Sequence, residues 1–245
     1  MLRMIRSEWL KTRRLAKWLL LGAAPGSAIL TVLFGLSLDI GATADFPWKE
    51  ALALGAVLYG SLLLPLLTGV YAAIVCRYEH FGGGWKQLLA LPVSRTQVYM
   101  VKLAYVAGLI AFTQVLFLAL LLLLGAMKGG TGSIPWATML SAACGGWIAS
   151  LPLAALQLAV SSAWTSFAAP LAVNVAFTLP NMLVANSETY APYYPWLQPM
   201  LAMTPGNAYQ FGAFGLSPLS LYAVVFGSFV LFLGAGWGAF FRRSF

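Results

Sequence analysis

Six apolar segments, each about 20 residues or longer, constrain this chain more than any other feature of its sequence. They cover residues 17–38, 52–76, 98–127, 136–162, 166–186 and 217–241. A helix of roughly 20 apolar residues crosses the hydrocarbon core of a bilayer. Only 8% of the residues are charged, whereas a soluble domain carries about 25%. The sequence therefore predicts an all-α integral membrane protein with six transmembrane helices in a single domain, residues 1–245.

The boundary between the fourth and fifth segments is the least marked of all. Only residues 161–166 separate the two segments, and no charged residue lies between them. Five helices are therefore an alternative. An odd number of helices would place Arg242 and Arg243 outside the cell, whereas positive residues stay on the cytoplasmic side. The charge distribution therefore favours six helices.

The positive charges also orient the six-helix model. Of the 14 positive residues, twelve fall on one side: Arg3, Arg6, Lys11, Arg13, Arg14, Lys17, Arg77, Lys86, Arg95, Lys102, Arg242 and Arg243. Lys49 and Lys128 fall on the other side. Since positive loops are cytoplasmic, both termini are predicted to lie inside the cell. These positive residues would meet anionic lipid headgroups, and no motif suggests a nucleic-acid partner.

The opposite face carries features of an outer membrane interface. Aromatic residues collect at the predicted outer ends of the helices: Trp48, Trp136, Tyr190, Tyr193, Tyr194 and Trp196. Such rings settle at the depth of the lipid headgroups. The longest external loop, residues 187–215, combines aromatic residues with four prolines. Because this loop is too apolar to extend into water, we expect it to lie on, or dip into, the outer interface.

Several functional classes lack the residues that they need. Between Leu103 and Phe241 the only ionisable acids and bases are Lys128 and Glu188, both in predicted outer loops. Ion-coupled carriers usually keep such groups inside the bilayer, although Na⁺ can also be bound by carbonyl and hydroxyl oxygens. The single histidine, His80, has no partner that suggests catalysis and is expected to be solvated. The Gly82–Gly84 run lacks the Lys-Ser/Thr of a phosphate-binding loop, so it is interpreted as a flexible turn.

The two cysteines, Cys76 and Cys144, both lie in apolar segments. Their spacing suggests neither a disulfide framework nor a metal site. Because they are expected at different depths in the membrane, both are predicted to be free thiols.

The second cytoplasmic loop contains a short amphipathic segment. Trp85, Leu88 and Leu89 have helical spacing, with polar residues between them. Pro92 would end this helix, and Ser94 would cap the next one together with Gln97. The sequence therefore predicts a short helix across the cytoplasmic mouth. A plain loop that rests on lipid is the alternative.

The N-terminal segment has a similar character. Its apolar stripe consists of Leu2, Ile5, Trp9 and Ala16, while Arg3, Lys11 and Arg14 face away from it. This pattern predicts an interfacial helix that leads into the first membrane helix. A segment that only sets the topology through its positive charge is the alternative. A cleaved signal peptide is disfavoured because the apolar run continues to Leu38, longer than a signal core.

These two segments carry a family resemblance. The stretch Glu8-Trp9-Leu10-Lys11, together with Glu79, Trp85-Lys86, Leu91-Pro92-Val93-Ser94-Arg95 and Lys102, resembles the corresponding parts of ABC-2 type transporter permeases. The branch that it resembles most is the small permeases of bacterial lantibiotic and bacitracin self-protection transporters. The chain length and the six-helix plan agree with that family, and so does the long outer loop between the last two helices.

The resemblance implies a subunit of a larger machine. Two permease chains, identical or related, would pair, and each would dock a separate subunit that binds ATP and Mg²⁺ at the cytoplasmic face. This chain itself would hold no cofactor and catalyse no reaction. The implied docking residues are Glu79, Trp85, Lys86, Pro92 and Arg95, and the implied interfacial helix contains Glu8, Trp9 and Lys11.

The expected function is export of an antimicrobial peptide or another amphiphilic compound from a bacterial plasma membrane. The alternatives are an ion-coupled secondary carrier, an intramembrane enzyme and a membrane scaffold without transport activity. ATPase activity that appears only when a partner subunit co-purifies would separate an ABC permease from all three.

The topology leads to a direct prediction. We expect both termini and residues 77–97 to be cytoplasmic, because twelve of the 14 positive residues, Lys102 included, would then lie at the cytoplasmic side. A cysteine introduced by Arg95→Cys, in a chain without its native cysteines, should resist a membrane-impermeant maleimide added to intact cells. Strong labelling from outside the cell would contradict this orientation.

Overall fold

A computed structural model describes residues 4–11, 48–80, 83–90, 92–127, 133–204 and 217–243. Within these ranges the regular secondary structure is helical throughout. The first predicted transmembrane segment, residues 17–38, lies outside the described residues. The structure therefore bears only on the second to sixth predicted segments.

The described part of the chain forms nine α-helices. They are α1 (residues 4–11), α2 (Trp48–His80), α3 (Gly84–Ala90), α4 (Arg95–Met127), α5 (Trp136–Ala163), α6 (Ala168–Thr178), α7 (Asn181–Val184), α8 (Gln198–Met203) and α9 (Pro218–Arg242). A π-helical turn, Tyr59–Leu63, interrupts α2, and a 3₁₀ turn, Ala191–Tyr193, precedes α8. Helix α5 lies at the centre of this arrangement, because it packs against α2, α4, α8 and α9.

Among the described residues, four helices are long and apolar enough to cross a membrane, namely α2, α4, α5 and α9. The chain is thus a multi-pass membrane protein. Helices α6 and α7 form a shorter apolar stretch, Ala168–Val184. Helix α5 ends at Ala163 and α6 begins at Ala168. The helical structure is therefore interrupted between the fourth and fifth predicted segments, as the sequence suggests.

The start of α4 has the cap that the sequence predicts. The backbone N–H of Gln97 donates to Ser94 Oγ at 3.2 Å, and the backbone N–H of Ser94 donates to Gln97 Oε1 at 3.3 Å. This reciprocal pair satisfies two N–H groups at the helix start, where no intrahelical acceptor is available. The capping prediction is confirmed.

The cysteines also behave as predicted. Cys76 is buried near one end of α2, and Cys144 is exposed on α5. Both are free thiols, so no covalent link holds the described helices together.

The segment that contains the 3₁₀ turn and α8 is predicted to lie on, or dip into, the outer interface. Much of it packs among the neighbouring helices. Leu197 and Met200 are fully buried. Gly60 in the π-helical turn allows the close approach, since a side chain at that position would overlap the Met200 backbone. Residues 205–216 of the same loop lie outside the described residues.

The ends of α2 and α4 that the sequence predicts to be outer meet through a second close approach. Trp48, at the start of α2, is buried and lies directly over Gly125 near the end of α4. A methyl group on Gly125 would overlap the indole ring of Trp48. Trp48 is therefore a packing residue rather than only an interfacial aromatic residue.

This contact predicts a difference between two glycine variants. Gly125→Ala should destabilise the protein by about 1–3 kcal/mol, because the added methyl group overpacks a filled site. Gly108→Ala on the same helix is the matched control, since open space surrounds that position and alanine favours helix by about 1 kcal/mol over glycine. Thermal unfolding in detergent measures both variants. Equal melting temperatures would contradict the close packing of Trp48 on Gly125.

Candidate functional site

Four charged side chains from three helices meet at the end of the bundle that the sequence predicts to be cytoplasmic. They are Glu8 and Lys11 of α1, Glu79 of α2 and Lys102 of α4, called here the ion cluster. Lys102 Nζ lies 3.2 Å from both carboxylate oxygens of Glu8 and 3.2 Å from Glu79 Oε1. Lys11 Nζ lies 2.6 Å from Glu79 Oε1 and 3.4 Å from Glu8 Oε1. Two acids and two bases therefore balance each other.

The ion cluster is shielded from solvent. Lys102 is 2% exposed, Glu79 is 4% exposed and Glu8 is 5% exposed. Lys102 Nζ also donates to the Val75 backbone oxygen at 3.1 Å. Buried charges are costly unless each is paired and hydrogen-bonded. The cluster meets this requirement by joining α1, α2 and α4 at one point.

Lys11 is the most accessible member of the cluster. Its partial burial alone would lower its pKa, but the adjacent carboxylates of Glu79 and Glu8 more than offset that effect and raise the pKa above its ordinary value. Lys11 therefore stays positively charged throughout the physiological pH range, and so the cluster keeps its charge balance.

Helix periodicity explains how α1 contributes two members. Glu8 and Lys11 are three residues apart and share one face of α1, while Ile5 and Trp9 are exposed. Two members of the predicted apolar stripe thus face outwards, whereas Leu2 and Ala16 lie outside the described residues. Lys11, which the sequence places away from the apolar stripe, bonds to Glu79 of α2 as well as to Glu8 of its own helix.

Trp85 lies beneath α3 rather than on its surface. The Trp85 side chain is buried, with its indole ring 5.4 Å from Lys102 Nζ and edge-on to Phe240 of α9 at 5.2 Å. Its Nε1–H donates to His80 Nδ1 at 3.3 Å. Because Lys102 touches both Trp85 and the carboxylates, the ion cluster extends to α3.

His80 is also part of this assembly. Its Nε2 lies 2.9 Å from the Ser161 backbone oxygen near the end of α5. Because Trp85 donates to Nδ1, the ring donates through Nε2 in its neutral form. The sequence interpretation of His80 as a solvated loop residue therefore missed its two contacts.

Arg95 binds helix ends rather than presenting its guanidinium group to solvent. Its Nη1 donates to the backbone oxygens of Phe241 and Arg243, each at 2.8 Å. Arg243 in turn donates to the Ser162 backbone oxygen at 2.7 Å. The last carbonyl groups of a helix lack intrahelical donors and carry partial negative charge, so positive side chains stabilise them. Arg95 thus caps α9, and Arg243 caps α5.

The five residues expected to dock an ATPase therefore occupy different layers. Lys86 and Pro92 are exposed, together with Gln87, while Arg95 is half-buried. Glu79 and Trp85 lie underneath, joined through Lys102. A partner on this face would contact the outer residues, and the inner residues would fix their position.

Sequence reasoning missed the central role of Lys102. It was treated as one of several positive residues at a loop border, although it lies two turns inside α4 in an apolar stretch. An ionisable residue at such a position requires a buried partner. That requirement was the available signal, but Glu8 is 94 residues away in the chain, so no local pattern identifies it as the partner.

The match to a known family decides the assignment of the chain. A family model described as ABC-2 family transporter protein matches residues 4–181, which is more than half of the chain and includes the whole ion cluster. The chain belongs to the ABC-2 family of transporters. Comparison with curated protein sequences and with solved structures finds no match. As an ABC-2 permease, the protein is a membrane subunit that works with an ATPase, which confirms the resemblance at the family level.

The geometry predicts that Lys102 is the most sensitive residue in the ion cluster of this permease. Lys102→Ala leaves two buried carboxylates with only Lys11 between them, and breaking a buried pair costs about 3–5 kcal/mol. Lys86→Ala removes the same charge from an exposed position and should change stability by less than about 0.5 kcal/mol. Thermal unfolding of the purified chain compares the two. If both variants unfold at the same temperature, the cluster does not hold the helices together.

Proposed function

We propose that this chain is the membrane-spanning subunit of an ABC exporter, in which an ATPase docks on α3 and drives the membrane helices through the ion cluster. The observation that carries the proposal is the position of Lys102, which contacts Glu8, Glu79 and Trp85 at once. A displacement of α3 would reach α1, α2 and α4 through this one residue.

The docking face is proposed to consist of Lys86, Gln87 and Pro92. These side chains project from the exposed surface of α3 and the following turn. Trp85 and Glu79 would lie beneath this face and would not touch the ATPase. The buried indole ring and the buried carboxylate would fix the orientation of α3 relative to α2. A force applied to α3 would then move α2 and α4 together rather than bend the loop.

The surrounding assembly follows from the same proposal. The chain would lie in a bacterial plasma membrane with six spans and both termini inside, paired with a second copy or a related permease. The large apolar side chains exposed on α4 and α9, such as Val115, Phe226 and Leu231, suit contact with lipid tails. ATP and Mg²⁺ would be bound by the partner subunit.

The proposed cargo is an antimicrobial peptide or another amphiphilic compound. The membrane helices offer an apolar and aromatic environment, which suits a molecule that already partitions into the bilayer. The resemblance of Glu8–Lys11 and Leu91–Arg95 to lantibiotic and bacitracin self-protection permeases narrows the class to toxins that act at the membrane.

An ion-coupled carrier or a scaffold without transport activity is the competing proposal. Buried acids are the groups that such a carrier would use, and Glu8 and Glu79 are buried acids. Both are already neutralised by lysines within 3.4 Å, which leaves little reason for them to bind a coupling ion. ATPase activity that requires co-purification of the partner separates these proposals.

Charge reversal on the proposed docking face is the decisive test. Lys86→Glu should weaken co-purification of the ATPase, and loss of an interface hot spot costs about 2 kcal/mol or more of binding free energy, equivalent to roughly 30-fold in affinity. Lys49→Glu is the matched control, since Lys49 is equally exposed at the opposite end of α2. Pull-down from membranes followed by ATPase assays measures both variants.

The outcomes distinguish docking from lipid contact. Full retention of the ATPase by Lys86→Glu, with unchanged coupled hydrolysis, would show that α3 only rests on lipid. Equal losses for the Lys86 and Lys49 variants would point to a general effect of charge on membrane insertion rather than a docking face.

A further inference from the structure

Helix α2 is interrupted near its middle. The π-helical turn Tyr59–Leu63 is followed after one residue by Pro65. Proline has no backbone N–H, so Ser61 loses the α-helical donor to its carbonyl oxygen. Inside a membrane such a carbonyl requires another donor.

Two asparagines donate to backbone oxygens around the interruption, and Asn181 supplies the donor that Ser61 lacks. Asn181 of α7 donates through Nδ2 to the Ser61 backbone oxygen. Asn174 of α6 donates through Nδ2 to the backbone oxygens of Pro65 at 3.0 Å and Leu66 at 3.3 Å. Gly69 permits this approach, because a side chain there would overlap the Asn174 amide.

The same asparagines connect the interruption to the rest of the protein. Asn174 Oδ1 accepts hydrogen bonds from Gln157 Nε2 of α5 at 3.0 Å and from Trp196 Nε1 at 2.8 Å. Asn181 Nδ2 also donates to the Trp196 backbone oxygen at 3.1 Å. These four buried residues, Gln157, Asn174, Asn181 and Trp196, are called here the amide latch.

The amide latch is not fully satisfied in the arrangement described. Asn181 Oδ1 and Gln157 Oε1 are buried and have no hydrogen-bond partner among the described residues. Buried acceptors without donors are costly and uncommon in folded proteins. A rearrangement of the latch that supplied donors to these two oxygens would remove this cost.

The interruption divides α2 into two differently held halves. The half that begins at Trp48 is called here the outer half, and the half that ends at His80 is called the inner half. Gly60 belongs to the outer half and packs against Met200 of α8. Glu79 lies in the ion cluster at the other end. A movement that starts at α3 therefore reaches the inner half of α2 first, and the interruption is the place where it can be absorbed.

We propose that Ser61–Pro65 is a hinge in α2, and that Asn174 and Asn181 are positioning residues that hold it in the present arrangement. The inner half of α2 swings when the ATPase closes, while the outer half stays packed against α8. This inference rests on the proposed function. A permanent kink that never moves is the competing interpretation.

The first experiment tests the latch without any partner, by thermal unfolding of the purified chain. Asn181→Ala should lower the melting temperature in the natural background. In a Pro65→Ala background residue 65 has an N–H for Ser61, so the same change should cost less than half as many degrees. Asn186→Ala is the control, since Asn186 is exposed two residues after α7 and its side chain donates to the Met182 backbone oxygen, outside the latch. If the changes in melting temperature caused by Pro65→Ala and Asn181→Ala are additive, the proposed latch is wrong.

The second experiment tests movement in the complex with its ATPase, in nanodiscs, by electron–electron double resonance. Spin labels at Tyr78 and Leu219 report on the inner half of α2, and labels at Glu50 and Leu219 report on the outer half; all three positions are exposed. The chain lacks its native cysteines and is diluted with unlabelled chain. Trapping with ATP and vanadate should shift the first distance but not the second, and Pro65→Ala should remove the shift.

Each result decides between hinge and kink. Equal shifts at both ends, no shift at either end, or an unchanged shift in Pro65→Ala would overturn the hinge. If no ATPase binds and no nucleotide is trapped, the proposed function fails, and the ATP-driven movement fails with it. The melting experiment still decides separately whether the latch exists.

Discussion

The buried contact between Lys102 and the carboxylates of Glu8 and Glu79 is the interaction on which one whole end of this protein depends. An ammonium group at that depth in α4 is tolerable only if acids surround it. This requirement draws α1 onto the bundle, holds the end of α2 beside α4, and places Trp85 against the same charge. The short helix α3 is thereby oriented by contacts beneath it, although it is too short to be stable alone.

A second polar centre performs the corresponding task within the membrane. There the need comes from the backbone, since Pro65 removes a donor from α2 and the Asn181 amide replaces it at Ser61. The two centres differ in a way that matters for motion. The ion cluster satisfies its charges fully and favours one arrangement, whereas the amide latch leaves acceptors unused. One end of α2 is therefore firmly connected to its neighbours, and the middle of the helix is the weaker point.

The sequence predicted the large features because they follow from local patterns. Apolar runs indicate spans α2, α4, α5 and α9, and Ser94 with Gln97 marks a helix start. The ion cluster and the amide latch could not be predicted in this way, because their members lie far apart in the chain and meet only after folding. Arg95 shows most clearly what local sequence patterns cannot predict. A positive residue at a loop border suits a partner protein, lipid phosphate or a helix end equally well, and only the structure shows that it binds the end of α9.

The cap formed by Arg95 also has a consequence for biosynthesis. Its acceptors, the backbone oxygens of Phe241 and Arg243, are 146 and 148 residues further along the chain. At a translation rate of about 5–20 residues per second, roughly 7–30 s pass between the synthesis of Arg95 and the synthesis of these two residues. During that time α4 depends on its apolar residues and on contacts with parts of the chain made earlier, such as those of Lys102 with Glu8 and Glu79. Closure of this end of the bundle is a late event, and it requires only that a helix end arrives there, since backbone atoms accept the hydrogen bonds.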